Sequence, residues 1–334
     1  MKGVLVVLLS LFLTGIFFCE EVVFSQVKEE REEEGFEEQR LPEEPLPYKL
    51  SSKVTLLSGY DSNVRLTTIR KGDFFEQFIY SLDFTKPITS DLKLRFDYDF
   101  DVLNYHEVTD LSNLLNHLRL GVHNQFALCT IGTGYDLGIA YYPRNKDGNF
   151  LFHKGFTYAD YTLFDSQYHR VQFEYGLKDY THNNSLGDFI FARQDKERLD
   201  RRLSAGYSIG SFLAPQLFLQ FRTKFSVNNS NARFEDFYDY KSYKQTVSLT
   251  YKLLKDLYLL SDFSYTRKLY SARTVTIGAD KQRDNLFVFN TDFLYRLDKN
   301  QSLLLRYTYR NNSSNDDLAE YSENMITCGW QYKF

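Results

Sequence analysis

The stretch Leu92-Lys-Leu-Arg-Phe-Asp-Tyr-Asp-Phe-Asp-Val102 alternates apolar and polar side chains without a break. Successive side chains of a β-strand point to opposite faces, so a period of two is typical of a strand with one apolar and one polar face. A helical period would put Leu92, Arg95 and Phe96 on one side, and no apolar stripe results. The stretch therefore predicts a β-strand whose second face is densely charged.

The same alternation recurs along the chain and predicts about fourteen strands. We place them at 50–60, 74–85, 92–105, 114–125, 130–142, 154–164, 168–180, 198–210, 216–227, 242–254, 257–268, 285–297, 302–311 and 321–334. Twelve to sixteen strands are compatible with the pattern; the count falls to twelve if segment 154–164, where Asp160 interrupts the alternation of Phe156 and Tyr158, is lost with one partner. Pro87, Pro143 and Pro215 all fall between these segments, as they should, because proline cannot donate to a β-ladder.

The connections between segments alternate between short and long, which is typical of outer-membrane barrels with tight turns on one side. Strands of about 9–11 residues suffice to cross a bilayer. We therefore predict an all-β fold, a transmembrane antiparallel up-and-down β-barrel over residues 48–334. A soluble, secreted β-sandwich is the alternative, but asymmetric loops and fourteen long strands favour the barrel.

The first residues resemble an export signal. Lys2 precedes an apolar run from Val4 to Phe18, which is short for a membrane-spanning helix. We predict a signal peptide over 1–25 and hence export to the bacterial outer membrane. Two alternatives stay open: an uncleaved anchor, and lipidation of Cys19, which the bulky Phe18 disfavours.

Residues 26–47 form an acidic segment before the first strand. They hold nine Glu against Lys28, Arg31 and Arg40, and three prolines near their end. A segment with this many charged residues cannot bury a hydrophobic core. We therefore predict that it is a disordered periplasmic tether. It is either a solvated linker or a docking segment for a basic periplasmic partner.

Composition excludes several classes of protein. The apolar content of 43% suits a folded chain, and the formal net charge of −4 argues against a nucleic-acid partner. Three cysteines cannot build a disulfide framework or a four-thiolate zinc site.

The charged face of the predicted strands is the candidate functional surface, because a barrel exposes its polar face to the lumen. We predict that the pore is lined by Arg95, Asp97, Asp99, Arg119, Arg170, Glu174, Arg202, Arg222, Lys224, Lys244, Asp262, Asp292, Arg296, Arg306 and Arg310.

We found no convincing catalytic, cofactor or metal motif, so we expect no enzyme activity, no cofactor and no bound metal. His182 and Ser185 lie close together in the sequence, but such a pair needs a third group that orients the base. Asp97, Asp99 and Asp101 share a face and could bind a divalent cation, although pairing with Arg95 and other cations is the simpler interpretation.

The C-terminus resembles the closing strand of bacterial outer-membrane proteins. Phe334 ends the chain, and Tyr332 and Trp330 share its face. The resemblance implies that Trp330, Tyr332 and Phe334 are an assembly signal for the barrel-assembly machinery, with outer-membrane lipid around the barrel.

The opening strand carries a second resemblance. Gly59-Tyr-Asp-Ser-Asn-Val64 resembles the start of a β-barrel porin family that is associated with exopolysaccharide export genes. That family implies a channel or an export subunit that handles polysaccharide.

Taken together, the sequence predicts a porin-like channel for passive diffusion of small hydrophilic solutes, saccharides included. A subunit of an exopolysaccharide export or surface-assembly system is the alternative. A non-conducting structural barrel and an outer-membrane hydrolase that uses His182 are weaker ones.

Overall fold

A computed structural model describes residues 48–163, 166–184, 197–231, 238–276 and 278–334. The predicted signal peptide and tether lie outside these residues. The strands are β1 (Lys49–Asp61), β2 (Asp73–Pro87), β3 (Leu92–Tyr105), β4 (Asn113–Gln125), β5 (Thr130–Tyr141), β6 (Phe150–Leu163), β7 (Gln167–Asn184), β8 (Glu197–Ala214), β9 (Leu217–Ser230), β10 (Tyr240–Lys252), β11 (Leu257–Thr274), β12 (Lys281–Arg296), β13 (Gln301–Ser314) and β14 (Tyr321–Lys333).

The fourteen strands form one closed antiparallel barrel in which every strand pairs with its neighbours in sequence. Pairing of β1 with β14 closes the ring, with Val54 opposite Tyr332 and Tyr60 opposite Ile326. Because a closed barrel has no free edge, all strands can satisfy their backbone groups within a membrane. The predicted fold class and strand number are confirmed.

Helical structure in the described part of the chain is confined to three short 3₁₀ turns, Thr109–Leu111, Lys146–Gly148 and Asp317–Ala319. No helix among these residues has the length and apolar character that crossing a membrane requires.

Several strands continue further toward the long loops than the alternation predicts. Strand β6 begins at Phe150 rather than at residue 154, β7 continues to Asn184, and β11 continues to Thr274. These extensions do not alternate: β6 begins with three successive apolar residues, Phe150-Leu-Phe152, and β11 ends with mixed residues, so a period-two hydrophobic pattern cannot detect them. The backbone ladder nevertheless continues, as the pairing of Leu269 with Arg283 shows.

Side chains that meet across an intervening strand identify the inner, concave face. Lys224 on β9 contacts Glu174 on β7, and the Oη atom of Tyr105 on β3 donates to Asp61 on β1 at 3.3 Å. Strand registers then assign every other residue of each strand to this inner face.

The outer face is apolar and exposed. Leu203, Phe263 and Ile326 are 60%, 46% and 57% accessible. An exposed apolar outer surface and a polar interior invert the arrangement of a soluble protein and suit a barrel that is surrounded by lipid.

Candidate functional site

The structure places all fifteen predicted pore-lining residues on the inner face. Register pairs place Asp97 beside Arg119, Arg222 beside Thr246, and Asp292 beside Arg306. Their shared orientation follows from the alternation of side chains along each strand.

Acids outnumber bases on one side of this inner surface, and bases outnumber acids on the opposite side. Six inward-facing acids on β1–β3 are accompanied by the four bases Lys49, Lys53, Lys93 and Arg95; the acids are Asp61, Asp73, Asp83, Asp97, Asp99 and Asp101. Nine inward-facing bases on β7–β11 are accompanied by the three acids Glu174, Asp200 and Asp262; the bases are Arg170, Lys178, Arg198, Arg202, Arg222, Lys224, Lys244, Lys252 and Lys268. We call these sets the acidic wall and the basic wall. In the order of the closed barrel, β2 and β9 are half the ring apart, so the two walls face each other across the lumen.

A chain of ion pairs connects the two walls along the inner surface of β4–β9. Asp136 is completely buried, and it accepts hydrogen bonds from Arg119 Nε at 2.7 Å and forms an ion pair with Lys154 Nζ at 2.6 Å. Lys154 also lies 3.6 Å from Glu174, which contacts Lys224. Alternating signs along this chain hold the long side chains against the wall rather than across the lumen.

Other predicted residues form local pairs. Arg95 Nε donates to Asp97 at 2.8 Å, and Arg170 Nε donates to Asp160 at 2.6 Å. Arg306 binds both oxygens of Asp292, at 2.8 and 2.7 Å.

The remaining predicted residues have further partners on the inner face. Arg310 lies 3.1 Å from the buried carboxylate of Glu323. The Arg296 guanidinium lies over the ring of Tyr258, 4.5 Å from its centroid. Asp99 lies 3.9 Å from His117.

A cavity of about 370 Å³ opens against the basic wall. Arg222, Lys224 and Lys244 line it together with Ser204 and Thr246. Lys224 and Lys244 are direct cross-strand partners, so their like charges lie side by side. Arg222 contacts Asp262 at 3.4 Å, whereas Lys244 forms no ion pair with any described residue. Glu174 and Asp262 also line the cavity, with Arg170 as a fourth cation, so the cavity presents a net positive charge and hydroxyl groups to the lumen.

Inner-face cations retain contact with solvent. The side chains of Arg95, Arg119, Arg222 and Arg306 are 47%, 41%, 49% and 39% accessible, although each has an acidic partner. Barrels of eight strands are filled by their own side chains, whereas those of sixteen or more leave an aqueous channel. This fourteen-stranded barrel therefore resembles the larger class, with water reaching its charged walls.

At the loop end of the basic wall, cations stack on aromatic rings. Arg198 lies between Tyr180 and Tyr238, with its Cζ atom 4.5 and 3.6 Å from their centroids. Lys178 Nζ lies 3.7 Å from the centroid of Phe150. Arg202 donates to the hydroxyl of Tyr240 at 2.5 Å. We call this set, with Lys268 above Tyr240, the mouth cluster.

Strand β6 departs from the rule that aromatic faces point outward. Register places Phe156 and Tyr158 on the inner face, opposite Gly134 and Gly132 of β5. A Cβ atom on Gly132 would lie 2.3 Å from the ring of Tyr158, so the ring covers this glycine and lies flat on the wall. Asp160 therefore does not interrupt a lipid-facing row: it continues the inner row and pairs with Arg170.

The opening hexapeptide has a structural role. Asn63 is fully buried, and its amide donates to the carbonyls of Thr67 at 2.8 Å and Ser322 at 3.0 Å. Its backbone N–H donates to Asp61 at 2.8 Å. Asn63 thereby folds the β1–β2 loop and fastens it to β14.

The three predicted assembly residues lie together at the turn end of β14. Their rings form a row, with centroid separations of 5.7 Å between Trp330 and Tyr332 and 4.8 Å between Tyr332 and Phe334. Trp330 Nε1 also donates to Gln301 at 3.2 Å. The row is positioned as the resemblance implies, and its role in assembly remains a prediction.

No group of three or more potential metal-ligating side chains occurs among the described residues. Asp97 and Asp101 have local donors instead, Arg95 and Gln77. Ser185 and the side chain of His182 lie outside the described part of the structure.

Comparison with solved structures identifies the fold. OmpT, an outer membrane protein of Vibrio cholerae folded in vitro, matches with a TM-score of 0.51 and 9% identity, over 87% of this chain and 99% of that one. OmpF of Salmonella typhi, in complex with daunomycin, matches with a TM-score of 0.50 and 11% identity, over 86% and 97%. The chain has the fold of a bacterial outer-membrane β-barrel.

At these identities the likeness concerns the fold alone. No family model and no curated protein matches the sequence.

Proposed function

We propose that this protein is a passive channel in the bacterial outer membrane for small hydrophilic solutes, saccharides among them. The observation that carries the proposal is the pair of opposed charged walls with water-accessible side chains. Opposed charges across a pore create a transverse field, which orients polar solutes and disfavours apolar ones. In this proposal the barrel conducts solutes and catalyses no reaction.

The basic wall supports a preference for solutes that carry a carboxylate or phosphate. Its cavity brings Arg222, Lys224 and Lys244 together with hydroxyl groups, which suits an anion with several polar substituents. The acidic wall has no comparable excess of free carboxylates, since Asp97 and Asp101 are paired with local donors. An anionic solute is therefore attracted to one side of the lumen.

The mouth cluster supports saccharides as solutes. Aromatic faces bind the apolar faces of sugar rings, while neighbouring guanidinium groups bind hydroxyls and carboxylates. Arg198 and Arg202 lie against Tyr180 and Tyr240, so a sugar that reaches these rings also meets their guanidinium groups. An acidic sugar would meet this cluster first, because it lies at the loop end of the lumen.

The exopolysaccharide-export alternative depends on the hexapeptide that contains Asn63. In the structure Asn63 fixes a loop, a role that is independent of what passes through the barrel. The geometry therefore favours the channel.

Liposome swelling tests the proposal. The full chain is reconstituted into liposomes, which are diluted into isosmotic glucose or sodium glucuronate. We expect swelling in both, with faster entry of glucuronate than its size predicts. Arg198→Gln with Arg202→Gln should slow glucuronate and leave glucose nearly unchanged. Folded protein that produces neither swelling nor conductance would refute the channel.

A matched control uses a cation outside the lumen. Arg65 lies in the β1–β2 loop and forms an exposed pair with Asp110 at 2.9 Å. Arg65→Gln makes the same type of substitution and removes one positive charge without changing the basic wall, so uptake of both solutes should match the unaltered protein.

A further inference from the structure

At the loop end of the described strands, the outward-facing Lys and Arg residues are confined to one sector of the barrel. Among the described strands, outward-facing Lys and Arg residues at the loop end all belong to β8 and β10–β12: Arg201, Lys241, Arg267, Lys281 and Arg283. The outward-facing residues of β1–β7 include Glu76 and Asp179 near the same end, but Lys86, at the turn end, is their one Lys or Arg in the described residues. Placing a charged side chain on a lipid-facing surface costs free energy, so the clustering of these cations in one sector calls for a structural reason.

Three of these cations lie on adjacent strands. Lys241 on β10 and Arg283 on β12 both pair with Leu269 on β11, and Arg267 is two residues from Leu269 on the same strand. With about 4.8 Å between strands and about 6.7 Å between alternate residues, the three Cα atoms form a triangle with sides of about 8 to 10 Å. Long side chains from such a triangle can converge on one tetrahedral anion. We call Lys241, Arg267 and Arg283 the outer triad.

The triad has no anionic partner within the described chain. All three residues are exposed, and none of the three cationic side chains forms an ion pair or a hydrogen bond with a described residue, although the backbone N–H of Arg283 donates to Asn315. Inner-face arginines such as Arg119 and Arg306 instead have carboxylate partners. The counter-charge for the triad must therefore come from the surroundings of the barrel.

The depth of the triad places it at the lipid headgroups. Arg267 is ten residues from Leu257, where β11 begins at the turn end. At about 3.3 Å per residue and a tilt of about 40°, it stands about 25 Å above that end. The apolar band of outer-membrane barrels is also about 25 Å tall, so Arg267 lies at its upper edge.

Apolar and aromatic side chains lie immediately below. The rings of Tyr265 and Phe287 are 4.9 Å apart, and those of Phe225 and Tyr243 are 5.0 Å apart. An aromatic belt beneath a cluster of cations fits a lipid whose acyl chains descend along the barrel and whose phosphate lies above.

We propose that the outer triad is a binding site for the phosphate groups of lipopolysaccharide, the phosphorylated glycolipid of the leaflet on the long-loop side. The arginines provide bidentate donors for phosphate oxygens, and Lys241 adds a point charge. Arg201 and Lys281 flank the triad and increase the local positive potential. This proposal rests on the outer-membrane location proposed above, but not on conduction through the lumen.

The experiment compares binding of bisphosphorylated lipid A to purified full-chain protein in detergent, by native mass spectrometry. Each cation near a lipid surface contributes about 1 kcal/mol, about fivefold in affinity, so Lys241→Gln, Arg267→Gln and Arg283→Gln together should weaken binding about a hundredfold. Lys86→Gln, an outward cation at the turn end, should have no effect.

Removing the phosphates from lipid A should weaken binding to the unaltered protein and change little for the triple variant. Equal affinity of the triple variant and the unaltered protein, or an equal loss with Lys86→Gln, would overturn the assignment. Retention of phosphatidylglycerol as tightly as lipid A would also overturn it. Single-channel conductance of the triple variant should be unchanged, which separates this proposal from that of the channel.

Discussion

Replacing Asp136 with Asn tests the ion-pair chain that supports the inner wall. The Asp136 carboxylate is inaccessible to solvent and is shared by Arg119 and Lys154, whose side chains are 41% and 19% accessible. Removing one partner of a buried pair costs about 3–5 kcal/mol, whereas a surface pair contributes at most about 1 kcal/mol. In the Asp136→Asn variant, Arg119 would still contact solvent and Lys154 would still lie 3.6 Å from Glu174. We therefore expect the unfolding free energy to fall by about 2 kcal/mol, between the values for a buried and a surface pair.

The same substitution should change ion selectivity. It leaves one uncompensated positive charge on the lumen wall, and a unit charge at about 8 Å in water contributes about 0.5 kcal/mol. This energy favours the anion and disfavours the cation by equal amounts, so the anion-to-cation permeability ratio should rise about fivefold at low salt, and less at 1 M salt, where screening is stronger.

Two measurements on one preparation check this prediction. Urea unfolding in lipid vesicles can be followed by the fluorescence of Trp330, the single tryptophan, and selectivity by the reversal potential in a salt gradient. Asp99→Asn is the matched control: Asp99 is 49% accessible and its nearest cation is His117 at 3.9 Å. It should shift selectivity similarly with little loss of stability. Equal stability of the Asp136→Asn and Asp99→Asn variants would refute the role of Asp136 in holding the wall.

Three further outcomes follow from individual residues. Asn63→Ala should lower the unfolding free energy by about 1–2 kcal/mol, because it removes hydrogen bonds within the β1–β2 loop and to β14, whereas the exposed Asn104→Ala should change it little; urea titration distinguishes them. Gly132→Val should displace the ring of Tyr158 into the lumen and reduce single-channel conductance; an unchanged conductance would contradict the placement of this ring. Deleting Phe334 should slow the appearance of folded, heat-modifiable protein in cells, as pulse-chase labelling can measure, if the closing strand is an assembly signal.

The strands and their faces could be predicted from the sequence because alternation depends only on each strand itself. In β3 the row from Lys93 to Asp101 needs water and the row from Leu92 to Val102 needs lipid, whatever the neighbouring strands are. The strand ends toward the loops could not be predicted as well. There both faces meet water, so the pattern disappears while the hydrogen-bonded ladder continues.

The contacts within the site depend on properties that one strand does not encode. Glu174 and Lys224 meet across β8, so their contact depends on the curvature of the barrel and on two registers. Lys178 and Arg198 of the mouth cluster were missed because they lie in the polar ends of β7 and β8. The sequence did contain one indication of the cluster: Lys178 and Tyr180 are two residues apart in β7 and therefore share one face of the strand.

Strand β6 shows where composition misleads. Its aromatic row faces the lumen because Gly132 and Gly134 on β5 leave space for flat rings. The glycines at alternate positions of β5 were the available signal in the sequence. Where they face the lumen they have no side chain, which leaves space for large side chains of the neighbouring strand.

The reversal potential of the reconstituted full chain, in planar bilayers under a salt gradient, tests the central claim most directly. The account predicts steady conductance steps whose anion preference falls when Arg222, Lys224 and Lys244 are replaced by Gln and rises when Asp83 and Asp99 are replaced by Asn. Opposite shifts are expected because the two sets of substitutions remove charges of opposite sign from the lumen. Folded protein that never conducts, or selectivity that neither set of substitutions changes, would contradict it.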